Sequence, residues 1–126
     1  MFVENKARSG GAIYTQAHLD IADCIFQRNE AIELGGAAYF SPGNSRTTVS
    51  GSFFYDNAAA VGGALHIKSP VYSLITRQCI FRENDASLYG GAIFFRVERR
   101  LDMFKLFDSD LIRNKATLGG VDLSSF

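Results

Sequence analysis

The side chains of this chain that could do chemistry are its acids, two histidines and two cysteines, and few fall where chemistry needs them. Cleaving a polysaccharide calls for a pair of carboxylates, or for carboxylates with Ca²⁺ and an Arg or Lys base. Asp56 and Glu83 are the acid pair that the repeat described below stacks one coil apart. Like charges so placed can raise a pKa or hold a cation. Their column, however, runs Glu4, Arg28, Asp56, Glu83, Arg113, which reads more simply as a solvated ladder of alternating charge. Asp108 and Asp110 share a strand face but have no matching acids in neighbouring turns. His18 and His66 fall in different columns, too far apart for a shared metal or proton-transfer dyad. No nucleophile elbow, phosphate loop or Cys-x-x-Cys occurs. The residues therefore predict no catalytic site, no metal site and no cofactor.

The elements that must position these residues are repeats. An apolar residue, two variable residues, Asn, one variable residue, Ala and then Gly-Gly recur five times. The copies are Phe2–Asn5–Ala7–Gly10–Gly11, Phe26–Asn29–Ala31–Gly35–Gly36 and Phe54–Asn57–Ala59–Gly62–Gly63, then Phe81–Asn84–Ala86–Gly90–Gly91 and Leu111–Asn114–Ala116–Gly119–Gly120. Successive Asn residues lie 24, 28, 27 and 30 positions apart. A period in that range marks a solenoid. The stretches after Gly-Gly, such as Ala12–Thr15 and Ala64–Ile67, have the composition of strands. Gly-Gly in every copy opposes helical repeats. The expected fold is all-β, a right-handed single-stranded parallel β-helix of about five coils. It forms one segment over residues 1–126, with units at about 1–25, 26–53, 54–80, 81–110 and 111–126. Neither end reads as a cap, so the expectation is a piece of a longer solenoid.

Stacking about 4.8 Å apart gives the repeated residues physical roles. Asn5, Asn29, Asn57, Asn84 and Asn114 are predicted to form an inward amide ladder at a corner, where losing Asn57 should cost about 1–3 kcal/mol. Phe2, Phe26, Phe54, Phe81 and Leu111 stack in the core. The pairs Gly10–Gly11, Gly35–Gly36, Gly62–Gly63, Gly90–Gly91 and Gly119–Gly120 turn a tight corner. Lys6, Glu30, Ala58, Asp85 and Lys115 form a second outward column with opposite charges at its first and last steps. Cys24 and Cys79 share a column with Ser52 between them, so they stand two coils (about 9.6 Å) apart and remain unpaired, buried core filler.

A further column, Tyr14, Tyr39, His66 and Phe94, is the candidate ligand face. It alternates with Ile13, Ala38, Leu65 and Ile93, which belong inside more naturally, and an exposed aromatic stripe could stack on sugar rings or a partner protein. The last unit argues the other way. If Gly119 is its first corner glycine, Leu123 follows the aromatic column and Asp122 the apolar one. Both parities stay open. The longest connection, Arg96–Lys105, carries four basic and two acidic side chains and reads as a solvated connector.

Lysine plus arginine equal aspartate plus glutamate at 13 each, so the net charge is zero and no pull toward nucleic acid is expected. No apolar run is long enough to span a bilayer. Partners are expected to be a glycan or a host or neighbouring surface protein, with edge-to-edge self-association through exposed terminal strands.

The phrases Phe-x-x-Asn and Gly-Gly-Ala-(Ile/Leu), covering the whole chain, resemble the repeats of the chlamydial polymorphic outer membrane proteins. These sit within the pectate-lyase-like right-handed β-helix group. Four copies keep Phe and Gly-Gly-Ala, and the fifth has Leu111 and Gly119–Gly120–Val121. The resemblance implies a β-helical module displayed at the cell surface or outside the cell, acting in adhesion. The same fold group includes polysaccharide lyases and hydrolases, so an enzyme segment is the alternative, and a pure spacer is a third reading.

Overall fold

A computed structural model describes residues 1–16, 19–41, 46–68, 73–95, 104–120 and 123–125. They form short strands, and no helix occurs among them. The first coil holds β1 (Phe2–Val3), β2 (Lys6–Ser9), β3 (Ile13–Thr15) and β4 (Leu19–Ala22). The second holds β5 (Ile25–Gln27), β6 (Glu30–Leu34), β7 (Ala38–Phe40) and β8 (Arg46–Ser50). The third holds β9 (Phe53–Tyr55), β10 (Ala58–Val61), β11 (Leu65–Ile67) and β12 (Ser73–Arg77). The fourth holds β13 (Ile80–Arg82), β14 (Asp85–Tyr89), β15 (Ile93–Phe95) and β16 (Phe104–Phe107). Three strands of a fifth follow: β17 (Asp110–Ile112), β18 (Lys115–Ala116) and β19 (Leu123–Ser125). That is slightly less than five full coils.

Every strand pairs in parallel with its counterpart one coil away, giving three five-stranded sheets and one of four strands. The sheets are called first to fourth here, led by β1, β2, β3 and β4. Such a ladder arises because each coil brings the same short strand back to the same place. No strand is long enough to fold on its own, so stability comes from stacked neighbours.

Among the described residues, three corners are built on a residue in the left-handed region. Between the first and second sheets it is Glu4, Arg28, Asp56, Glu83 or Arg113, with φ from 51° to 56°. Between the second and third it is glycine, for example Gly62 at φ 72°. Between the fourth and first it is Asp23, Gly51, Gln78 or Asp108. A left-handed residue with a Cβ costs about 1–2 kcal/mol. The coil-to-coil ladder continues through these residues and offsets that cost: Arg28 N–H donates to Tyr55 O and Asp56 N–H to Arg82 O, both at 3.0 Å. At the glycine corner the second glycine is required by space. A Cβ on Gly63 would collide with the carbonyl oxygen of Gly91.

The core is a stack of like residues. Phe2, Phe26, Phe54 and Phe81 lie face to face, with centroids 4.7–4.8 Å apart and planes within 4°. Leu111 continues the column opposite Phe81. Ile21, Val49, Leu65, Ile67, Ile93 and Phe95 fill the rest of the interior.

The fifth coil corrects one sequence reading. Gly120, not Gly119, takes the left-handed corner position, with φ 61°, and Gly119 bridges to Tyr89, the residue before the corner. Six residues separate Asn114 from Gly120, as they separate Asn84 from Gly90, whereas five separate Asn57 from Gly62. The extra residue is absorbed as a β-bulge in the second sheet. Leu123 therefore pairs with Ile93, in the column of Ile13, Ala38 and Leu65. The objection that the last unit raised against an outward aromatic column disappears with this shift.

Candidate ligand-binding faces

The Asn column supports the corner beside the first sheet. Asn29, Asn57, Asn84 and Asn114 are buried, and Asn5 at the end of the stack is exposed. The Oδ1 of Asn84 accepts both the backbone N–H and the side-chain Nδ2 of Asn57, each at 3.0 Å. The second Nδ2 hydrogen of Asn57 goes back to Phe26 O at 3.0 Å. The same pattern joins Asn5 to Asn29, Asn29 to Asn57, and Asn84 to Asn114.

A second ladder, which sequence reasoning missed, runs along the corner between the fourth and first sheets. Ser52 Oγ accepts the backbone N–H of Cys24 at 3.2 Å, and Ser109 Oγ that of Cys79 at 3.1 Å. The signal was the alternation Cys24, Ser52, Cys79, Ser109, each after a left-handed residue. Both cysteines are free; Cys79 is buried and Cys24 half-buried rather than fully buried, because it lies near the end of the stack. Burial pushes the Cys79 thiol above its usual 9.0.

The charged columns lie outside. Arg28 meets Glu4 at 2.9 Å, Arg113 meets Glu83 at 2.8 Å and Lys6 meets Glu30 at 3.4 Å. Asp56 and Glu83 border a cavity of about 320 Å³ that also holds Asp85, Arg113 and Lys115. With two cations among three acids, it can attract neither a cation nor an anion strongly. Among the described residues no three His, Cys, Asp or Glu side chains converge as metal ligands. His18, Val121, Asp122 and most of the 96–105 connection lie outside the described residues.

The Tyr14 column stands on the outer face of the third sheet. Tyr39, His66 and Phe94 alternate with the core residues Ala38 and Phe40, Leu65 and Ile67, and Ile93 and Phe95. Successive rings contact one another, 5.0, 5.3 and 4.9 Å between centroids, tilted at the first two steps and stacked at the last. Yet Tyr39, His66 and Phe94 are only 6%, 5% and 3% exposed, against 53% for Tyr14. Leu34, Val61, Tyr89 and Lys68 line the same cavity of about 350 Å³. An outward column is thus present, but most of its ring surface is already covered.

An open apolar face that also carries aromatic rings lies on the outer side of the first sheet. Ile25, Ile80 and Ile112 are exposed there, and Phe53 and Tyr55 are half-buried. The Phe53 and Tyr55 rings lie parallel within 8°, centroids 5.9 Å apart. Met1, Ile25, Gln27, Phe53, Tyr55 and Arg82 line an open recess of about 380 Å³. Glu83 accepts the Tyr55 hydroxyl, and this bond raises the phenol above its ordinary 10.0. The sequence signal was parity: once Phe26, Phe54 and Phe81 point in, the residues on either side of each point out.

The Chlamydia polymorphic membrane protein repeat family matches residues 1–16. A probable outer membrane protein, PmpD of Chlamydia trachomatis serovar D, is 34% identical over 103 residues, covering 73% of this chain. The Phe/Asn/Gly-Gly signature thus coincides with a parallel β-solenoid, coil by coil. The coils are polymorphic-membrane-protein repeats. The chain spans 7% of the length of that relative. No solved structure matches it. The relative's outer-membrane assignment agrees with a module at the cell surface. No helix among the described residues is long and apolar enough to cross a membrane.

Proposed function

We propose that this chain is a non-enzymatic β-helix module displayed outside the cell, where its lateral faces serve adhesion. The observation that carries the reading is the repeat itself: the coils match an outer membrane protein over 73% of the chain. A stack of short strands is a rigid rod that holds side chains at a fixed spacing from a surface. The electrostatics favour this over an enzyme. The stacked acids Asp56 and Glu83 share their recess with Arg113 and Lys115, and a carboxylate paired with a guanidinium makes a poor proton donor.

The test is labelling of intact source cells with antibodies against this chain, beside permeabilised cells, together with attachment of chain-coated beads to epithelial cells. Labelling without permeabilisation and saturable bead attachment are expected. Labelling only after permeabilisation would overturn display, and absent attachment by folded chain would overturn adhesion through this segment.

A further inference from the structure

We infer that the outer face of the first sheet carries a binding site for a neutral glycan, centred on Phe53 and Tyr55. The inference deepens the reading as a display module and rests on it for access to ligand. Two columns side by side make the site. One is apolar: Ile25, Phe53 and Ile80 pair in register across three coils. The other is polar: Gln27, Tyr55 and Arg82 occupy one row two residues further on.

This arrangement matches the chemistry of a sugar ring, which has an apolar C–H face and a rim of hydroxyls. The parallel Phe53 and Tyr55 rings offer the face a stacking partner. The Gln27 amide both donates and accepts, and the Arg82 guanidinium presents several donors in a fork; both suit neighbouring hydroxyls. Arg82 Nε lies 3.7 Å from Glu83 Oε1, too long for a hydrogen bond, and it has no hydrogen-bond partner. That atom is buried, so what Arg82 offers a ligand is the exposed part of its side chain, which is 44% open to solvent. The local charge selects among glycans. Arg82 and Arg113 share Glu83, which also holds the Tyr55 hydroxyl, and Asp56 acts on that hydroxyl as a second acid, so two cations meet two carboxylates. The site therefore offers no net cationic field to a sulfated or sialylated chain. The recess, about 380 Å³, is of the size that takes a small ligand.

The experiment is binding of the full chain to an array of neutral hexose and N-acetylhexosamine oligosaccharides, printed beside sulfated and sialylated ones. Phe53→Ser and Gln27→Leu are run in parallel, with Tyr14→Ala on the third sheet as control. Circular dichroism establishes that each variant is folded. Dose-dependent binding to neutral oligosaccharides is expected, weakened at least about tenfold in Phe53→Ser and in Gln27→Leu and unchanged in Tyr14→Ala. Gln27→Leu keeps the apolar area and removes the amide, so its loss separates a glycan site from a merely greasy patch. Binding confined to acidic glycans, binding indifferent to both first-sheet variants, or no glycan binding by folded wild type would each overturn the inference. Cell labelling tests display without using the array, so either reading can fail alone.

Discussion

Asn57→Ala is the sharpest probe of what holds the coils together. Removing its side chain deletes four hydrogen bonds. Two run from Asn57 Nδ2, to Phe26 O and Asn84 Oδ1, and two reach Asn57 Oδ1, from the backbone and side chain of Asn29. Asn57 and Asn29 are 0% and 1% exposed, so water does not readily replace what is lost. At about 0.5–1.5 kcal/mol net for each bond, the loss is about 2–6 kcal/mol. That exceeds the 1–3 kcal/mol read from the sequence, because one amide proves to serve three residues. Asn5→Ala is the internal control: it sits at the exposed end and loses one side-chain bond, to Asn29 Oδ1, so about 0.5–1.5 kcal/mol is expected. Asn57→Asp completes the set. It keeps the shape but turns the donor into an acceptor facing Phe26 O and Asn84 Oδ1, so near neutral pH it should be at least as damaging as alanine. Urea unfolding followed by far-ultraviolet circular dichroism measures all three. An Asn57→Ala loss no larger than that of Asn5→Ala, or a benign Asn57→Asp, would refute the ladder as a source of stability.

Phe54→Ala opens the middle of the ring stack and is expected to cost about 3–5 kcal/mol in the same assay, whereas Phe2→Ala at the half-buried end should cost clearly less. Gly63→Ala should abolish the cooperative transition, since its Cβ meets the carbonyl oxygens of Gly91 and Asp85, while Gly119→Ala, with only a Tyr89 ring carbon at 3.9 Å, should be tolerated. Maleimide should label Cys24 quickly and Cys79 only on unfolding, because Cys79 is buried, its thiol is pushed above 9.0 and Sγ donates to Val49 O at 3.4 Å; equal rates would contradict this. The Tyr55 phenol should titrate above 10.0, and Glu83→Gln should return it toward that value, read as the difference between ultraviolet titrations of each protein and its Tyr55→Phe counterpart. Since the folded-state value is the raised one, the stabilisation from this bond is present in full below the ordinary phenol value. It is lost as pH rises through the raised one.

The sequence by itself determined the stack. A Phe, an Asn and a glycine corner recurring at one-coil intervals permit one arrangement in which each meets its own kind, because parallel strands bring equivalent residues within hydrogen-bond or ring-contact distance. The charge columns follow from the same register: Glu4 meets Arg28 and Glu83 meets Arg113 because equivalent corner residues lie one above the other. Which faces stay open was decided only by tertiary structure. The fifth coil keeps the register of the fourth, so Gly119 falls opposite Tyr89 and Gly120 takes the corner, which reverses the parity that Gly119–Gly120 alone suggests. Parity states that Tyr39, His66 and Phe94 point out, but not that Leu34, Val61 and Tyr89 close in beside them. Conversely, Phe53 and Tyr55 look like core strand residues in sequence, yet they stand outside because Phe54 between them occupies the interior column. Alternation along a strand sets direction, whereas exposure depends on side chains arriving from other coils, and that information is carried by the assembled solenoid.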